Sequence, residues 1–141
     1  MAMIILDIEA TGTEYDKHSI VSLGAIEYEN PTNQFYEECR IWEGAHIMDE
    51  ALAVCGFTRE EVTDSSKQTE VELIKAFVAW SEEIAERTLA GQNVSFDRDY
   101  VKAACKRAHI DNDFAHRTLD THTLAWMHMV KAGKQIGRAH V

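Results

Sequence analysis

At 141 residues, 45% of them hydrophobic, the chain is sized for one domain with a real core. A net charge of −10 argues against a large nucleic-acid footprint, which is ordinarily displayed as a basic stripe. No apolar run approaches membrane-spanning length, no leader is read before position 7, and the three Cys are widely spaced outside any Cys-x-x-Cys pattern. Reduced thiols, a cytoplasmic location and no membrane partner are therefore expected.

The first element is an apolar run from Met3 that delivers Asp7 and Glu9 and breaks at Gly12. Residues i and i+2 of a strand share a face, so the two carboxylates project side by side. Like charges that close raise one pKa or are neutralised by a bound cation. Hard oxygen ligands on a rigid strand suit Mg²⁺ or Mn²⁺. The plain alternative is a strand end carrying two solvated acids.

His18 to Glu29 and Gln34 to Ile41 are the next strand candidates, joined as a hairpin by Asn30-Pro31-Thr32-Asn33. Thr58 with Glu61, and Thr69 with Glu72, have capping-box spacing, so a helix should start at each. Beyond Thr69, the residues Val71, Ile74, Phe77, Val78, Ile84 and Ala85 recur at helical spacing and read as core.

A fourth strand follows at Thr88 to Gly91, then a helix from Phe96 to about His109 with Ser95 as N-cap. Asp97 then lies in the first helical turn, where the helix dipole favours an ionised carboxylate. The cations of this helix, Arg98, Lys102, Lys106 and Arg107 with His109, read as a solvated face. A fifth strand near Arg117 to Asp120 and a helix through Met129 close the layout. His116, His122 and His128 recur every six residues, which is not one helical face, and read as structural or exposed. The expected architecture is α/β, a mixed, mostly five-stranded sheet flanked by helices, without repeats or linkers.

Four segments in order carry a resemblance: Asp7-Ile8-Glu9-Ala10-Thr11-Gly12, Cys55-Gly56-Phe57-Thr58-Arg59-Glu60-Glu61-Val62, Asn93-Val94-Ser95-Phe96-Asp97 and Leu119-Asp120-Thr121. With them the chain resembles the DEDDh family of 3′-to-5′ exonucleases, relatives of ribonuclease T, oligoribonuclease and polymerase proofreading subunits. The resemblance implies a ribonuclease-H-like fold and two-metal hydrolysis of terminal phosphodiesters in single-stranded RNA or DNA, releasing 5′-mononucleotides. It implies that Asp7 bridges two divalent cations, Mg²⁺ or Mn²⁺, that Glu9 holds one, and that Asp97 orients the second ion's water shell. Thr11 and Gly12 would approach the terminal nucleotide through their backbone, with Asn93 beside them. Phe57 and Phe96 would stack on its base, Phe57 evenly balanced with core packing and Phe96 favoured as packing. The implied partner is the 3′ end of a single strand or short oligonucleotide, bound by a monomer or homodimer.

The sequence departs from that family at its third motif, a His followed five residues later by Asp. The residues five beyond His18, His46, His109, His116, His122 and His128 are Leu23, Ala51, Phe114, Thr121, Met127 and Gly133. No Tyr is followed four residues later by Asp either. The last six residues, Ile136-Gly137-Arg138-Ala139-His140-Val141, are the translation of a string found in widely used sequencing adapters. The expectation is an exonuclease domain over 1–134, incomplete at its C-terminus and lacking a helix, with 135–141 a non-native tail. The loss should expose apolar surface around the face of the first strand and the helix from Val71, and leave the chain nearly inactive. Two alternatives stand: a non-catalytic domain of the same fold that binds nucleic-acid ends, and a haloacid-dehalogenase-like phosphatase, whose Asp-x-Asp-x-Thr signature Glu9 breaks.

Overall fold

The computed structural model describes residues 2–134. The expectation of a non-native tail at 135–141 lies outside the described residues. Five strands, β1 (Met3–Ala10), β2 (Ile20–Glu27), β3 (Gln34–Glu38), β4 (Thr88–Gly91) and β5 (Thr118–Asp120), form one sheet in the order β3-β2-β1-β4-β5. The β1–β2 and β2–β3 pairs are antiparallel; β4 runs parallel to β1, and β5 to β4. The expected mixed five-stranded α/β sheet is the architecture found.

β1 sits at the centre, and its alternation sets the whole arrangement. Ile4, Leu6, Ile8 and Ala10 are buried in the main core, so Asp7 and Glu9 face the other way. α3 (Glu70–Ser81) and α4 (Val94–Arg107) supply the rest of that core, including Leu73, Ile74, Phe77, Tyr100 and Val101. A register shift between Glu9 and Ala10 breaks the two-residue period of the ladder. Val21 consequently joins a separate small cluster with Leu52 of α1 (Asp49–Cys55) and Val62 of α2 (Arg59–Val62).

Both capping boxes form. Thr58 Oγ1 accepts from the Glu61 N–H at 3.2 Å while Glu61 accepts from the Thr58 N–H at 2.7 Å, and Thr69 with Glu72 repeats both distances. β2 and β3 are shorter than expected because the chain after Glu38 leaves the ladder. Arg40 N–H then donates to Gln68 and Ile41 N–H to Val62. α3 stops at Ser81, so Ala85 is exposed, while Leu73, absent from the expected stripe, is fully buried. The cap of α4 is Asn93 rather than Ser95: Asn93 adopts φ 54°, a left-handed conformation that Asn tolerates, and its carbonyl accepts from the Phe96 N–H. α1 was not expected, because Met48 offers no capping side chain; its only local signals are Asp49 and Glu50 in the first turn and Gly56 at φ 78° after the end.

α5 (Thr121–Lys131) is capped by Asp120, which accepts from the His122 and Thr123 N–H groups. None of its residues is buried, and Leu124, Trp126, Met127 and Val130 stand half-exposed. The apolar surface expected around β1 and the helix from Val71 is therefore found on α5 instead, since α4 covers β1 and α3. His116, His122 and His128 are exposed. Arg107 is no solvated cation: it donates to Glu70, 1% exposed, at 2.8 and 2.9 Å. All three Cys are free, Cys39 and Cys105 being buried. Among the described residues no helix is long and apolar enough to cross a membrane.

Candidate active site

Parallel pairing between β1 and β4 runs only from Met3 to Ile5 on β1, opposite Thr88 to Ala90. At Gly91 the strands are so close that a Cβ would lie 2.7 Å from the Leu6 carbonyl oxygen, and beyond it β4 turns into α4. The backbone N–H of Ile8 then lacks a strand partner on that edge. Asp97 supplies one: its Oδ1 accepts from Ile8 N–H at 2.9 Å. A side chain from the first turn of α4 is thereby fixed beside the strand that carries Asp7 and Glu9.

The three carboxylates repel one another. Burial raises the pKa of Asp97 to about 6 against the lowering by the Ile8 hydrogen bond, and the charges of Asp7 and Glu9 raise it further. Glu9 is raised by burial and then by Asp7; Asp7, although exposed on the cleft floor, is raised by partial desolvation. Asp97 lies in the first turn of α4, as expected, but burial there outweighs the hydrogen bond from Ile8, so its pKa is raised rather than lowered. Among the described residues no three His, Cys, Asp or Glu side chains form a ready-made ion cage. The donor set nonetheless fits a hard divalent cation, since such an ion completes its shell with water and substrate oxygens and relieves the crowded negative charge.

In front of Asp7 and Glu9 lies a cleft of about 470 Å³. Its floor consists of two rows across the sheet, Asp7–Gly24–Tyr36 and Glu9–Ser22–Glu38, each set in register by the β1–β2 and β2–β3 ladders. Its far wall is the end of α1 and the start of α2, where Cys55, Gly56, Phe57 and Glu61 line it. Phe57 packs on the Val21–Leu52–Val62 cluster, as one of its two expected roles requires, and it also lines the cleft.

The other expected substrate contacts lie elsewhere. Thr11 is fully buried; its hydroxyl donates to His46 O at 2.7 Å and accepts from Ser19 N–H at 3.0 Å, and its backbone bonds Ser19 and Met48. Gly12 is buried as well, its carbonyl accepting from the Tyr100 hydroxyl at 2.6 Å. These two residues position the turn after β1 and do not line the cleft. Phe96 packs at 4.9 Å on the Tyr100 ring, as favoured from sequence, and Asn93 is exposed at the start of α4 outside the cleft lining. Ser22, Gly24, Tyr36 and Glu38 were missed. The signal that could have found them is the hairpin itself, whose register brings alternate residues of β2 and β3 beside Asp7 and Glu9.

The antiparallel β1–β2–β3 meander and the pairing of Asp7 with Asp97 give no support to a haloacid-dehalogenase reading. A comparison with curated proteins finds no match. Among solved structures, product-bound exonuclease I is 14% identical with a TM-score of 0.74, covering 99% of this chain and 34% of that one. E. coli exonuclease I in complex with a dT13 oligonucleotide is 15% identical, TM-score 0.73, covering 98% and 32%. The nuclease domain of 3′hExo, a DEDDh family member bound to rAMP, is 16% identical, TM-score 0.69, covering 99% and 82%. The chain thus spans about a third of the exonuclease I chains it matches, and these likenesses establish the fold. The family model for exonucleases of the RNase T type matches residues 4–135, and the chain belongs to that family.

Proposed function

We propose that this is a metal-dependent 3′-to-5′ exonuclease domain that hydrolyses the terminal phosphodiester of single-stranded RNA or DNA and releases 5′-mononucleotides. The observation that carries it is Asp97 fixed to Ile8 on the strand that carries Asp7 and Glu9, the latter two lining one cleft, with all three carboxylates raised in pKa first by burial. Divalent cations held by Asp7, Glu9 and Asp97 would neutralise the phosphate and activate water for attack on phosphorus. The chain's own residues do the positioning. Asp7 and Glu9 are held on one strand face, and Phe57 offers an aromatic wall to a terminal base. The dT13 and rAMP bound by the structural neighbours support single-strand and mononucleotide binding here.

Among the described residues no histidine lines the cleft. His18, the nearest in sequence to the carboxylates, is 4% exposed and packed against Gly12. That observation favours a second reading, a non-catalytic domain that holds 3′ ends, and two measurements separate the possibilities. Calorimetry should show Mn²⁺ binding lost in Asp7→Asn; equal binding by both proteins would sink the metal site. Incubation of 3′-labelled and 5′-labelled oligonucleotides with Mn²⁺, long enough to register the low activity expected of this chain, should release labelled mononucleotide first from the 3′ end. Metal-dependent oligonucleotide binding without any shortening would establish the second reading.

A further inference from the structure

The cleft continues past the carboxylates to a second group of side chains that metal binding does not use. Tyr36 hydroxyl donates to Glu38 Oε1 at 3.0 Å, and Lys67 Nζ donates to Glu38 Oε2 at 2.8 Å. Lys67 also stands 5.2 Å from the centre of the Phe57 ring. Glu38 is thereby held from two sides, while the Tyr36 ring, 64% exposed, is open to a ligand. Between Tyr36 and Asp7 the floor is Gly24, which has no side chain; a Cβ there would be in ordinary contact, 3.6 Å, with the Tyr36 ring and with nothing else nearby, so a flat group set there meets that ring.

Charge fixes which part of a nucleotide can occupy this end. The cleft is lined by Asp7, Glu9, Glu38 and Glu61, so a phosphate is acceptable only where cations gather, beside Asp7, Glu9 and Asp97. Adjacent strands lie ~4.8 Å apart, and Glu38 stands two strands from Glu9, about the reach of one nucleotide from its phosphate to the edge of its base. An uncharged base therefore falls on Gly24, against Tyr36 and within range of Glu38. The Lys67 hydrogen bond holds the Glu38 carboxyl below its usual range, so it stays an acceptor; burial and then Glu38 push the Tyr36 phenol up, so it stays a donor to Glu38. An acceptor-only carboxylate matches a base edge that carries an amino group and opposes one that carries a carbonyl oxygen.

We propose that Glu38, oriented by Tyr36 and Lys67, reads the base of the terminal nucleotide and favours bases bearing an exocyclic amino group over uracil or thymine. This rests on the exonuclease reading of the cleft. Cytosine and uracil are nearly the same size and differ in the amino group against the carbonyl oxygen at C4 and in an acceptor against an N–H at N3, so a preference for cytosine reports a Glu38 that meets C4 rather than N3.

The test is competition by CMP and by UMP against a fluorescent dT oligonucleotide with a free 3′ end, in the presence of Mn²⁺. Wild type should bind CMP about tenfold more tightly than UMP, the scale expected for a hydrogen bond to a charged acceptor. Glu38→Gln, whose amide presents either a donor or an acceptor, should bring the ratio to within about twofold. Tyr36→Phe, which keeps the ring and releases one side of Glu38, should lower the ratio and leave the melting temperature unchanged. A wild-type ratio near one, or a ratio that survives Glu38→Gln, overturns the proposal. Oligonucleotide binding without competition by either monophosphate overturns it while leaving the exonuclease reading standing; failure to bind the oligonucleotide at all overturns both.

Discussion

Asp97 accepts the backbone N–H of Ile8 at 2.9 Å, on the edge of β1 that β4 has left. One carboxylate therefore has two opposed effects. Its oxygen satisfies a buried N–H that would otherwise be unpaired, which stabilises the fold; its charge, 4% exposed and facing Asp7 and Glu9, works against it. Substitutions separate the two. Asp97→Asn keeps a carbonyl oxygen for Ile8 and removes the charge, so at pH 7.5 it should match or exceed the wild type in stability while losing Mn²⁺ affinity. Asp97→Ala leaves the N–H unpaired and should lose about 1–3 kcal/mol in urea unfolding. Equal stability of the Ala variant would mean that water reaches Ile8.

The raised pKa of Asp97 sets a pH dependence of definite sign. Between the ordinary 3.8 and about 6 the folded protein binds more protons at Asp97 than the unfolded chain. Stability from this group is therefore complete below about 3.8 and is lost as pH rises through about 6. Asp7 and Glu9, also raised, act in the same sense, whereas Glu38, held down by Lys67, loses its contribution as pH falls. The difference in melting temperature between wild type and Asp97→Asn should thus widen from pH 5 to pH 7.5. Mn²⁺, which competes with protons for the same oxygens, should raise the wild-type melting temperature at pH 7.5 far more than at pH 5. A stabilisation independent of pH would place the ion elsewhere.

Local signals were legible in the sequence and distant ones were not. The capping boxes at Thr58 and Thr69 involve residues three apart, and Asp7 and Glu9 share a face by strand period alone, so the pattern fixes them without tertiary information. Asp97 was placed in its helical turn, but its bond to Ile8 spans 89 residues and depends on where β4 diverges. The same distance effect hid the cleft floor, because the Gly24 and Tyr36 row requires the hairpin register. It also hid Glu70, which sits in a helix's first turn as an ordinary solvated acid would and is buried with partners, Arg107, Ile20 and Ser19, that arrive from 37 or more residues away. Thr11 and Gly12 illustrate another limit: a short polar turn beside two acidic residues reads as a contact surface, yet its groups are engaged by Ser19, His46, Met48 and Tyr100.

Gly12 is required by contact and not by backbone conformation. A Cβ there would lie 2.1 Å from the His18 ring, which is itself 4% exposed and bonded to Glu14. Gly12→Ala should therefore displace the turn after β1 and lower stability by about 1–3 kcal/mol, the usual range for overpacking. Adding His18→Ala removes the clashing ring, so the double variant should lose less than the sum of the two single losses in a double-mutant cycle. Strict additivity would show that His18 can move aside freely.

Glu70 and Arg107 tie α3 and α4 to the strand that follows the Gly12 turn. The Glu70 carboxylate accepts from Arg107 Nε and Nη2 at 2.8 and 2.9 Å, from Ile20 N–H at 3.1 Å and from Ser19 Oγ at 3.4 Å. Arg107 in turn donates to Tyr15 O at 3.1 Å and stands 5.1 Å over the Trp42 ring. Removing the guanidinium leaves a charge that is 1% exposed without its cation, and breaking a buried pair in this way ordinarily costs ~3–5 kcal/mol. Arg107 is 23% exposed, so solvent entering behind the lost side chain should keep Arg107→Ala at the low end of that range. Arg107→Lys restores a charge without the two-pronged geometry and should fall between wild type and Ala. Glu70→Gln leaves no buried charge and still accepts from Ile20, so it should be milder than Arg107→Ala even though it breaks the same ion pair. Urea unfolding at pH 7.5 gives the order directly. If Glu70→Gln proves the more damaging of the two, the hydrogen bonds to Ile20 and Ser19 hold this corner together, and the cation from α4 contributes little.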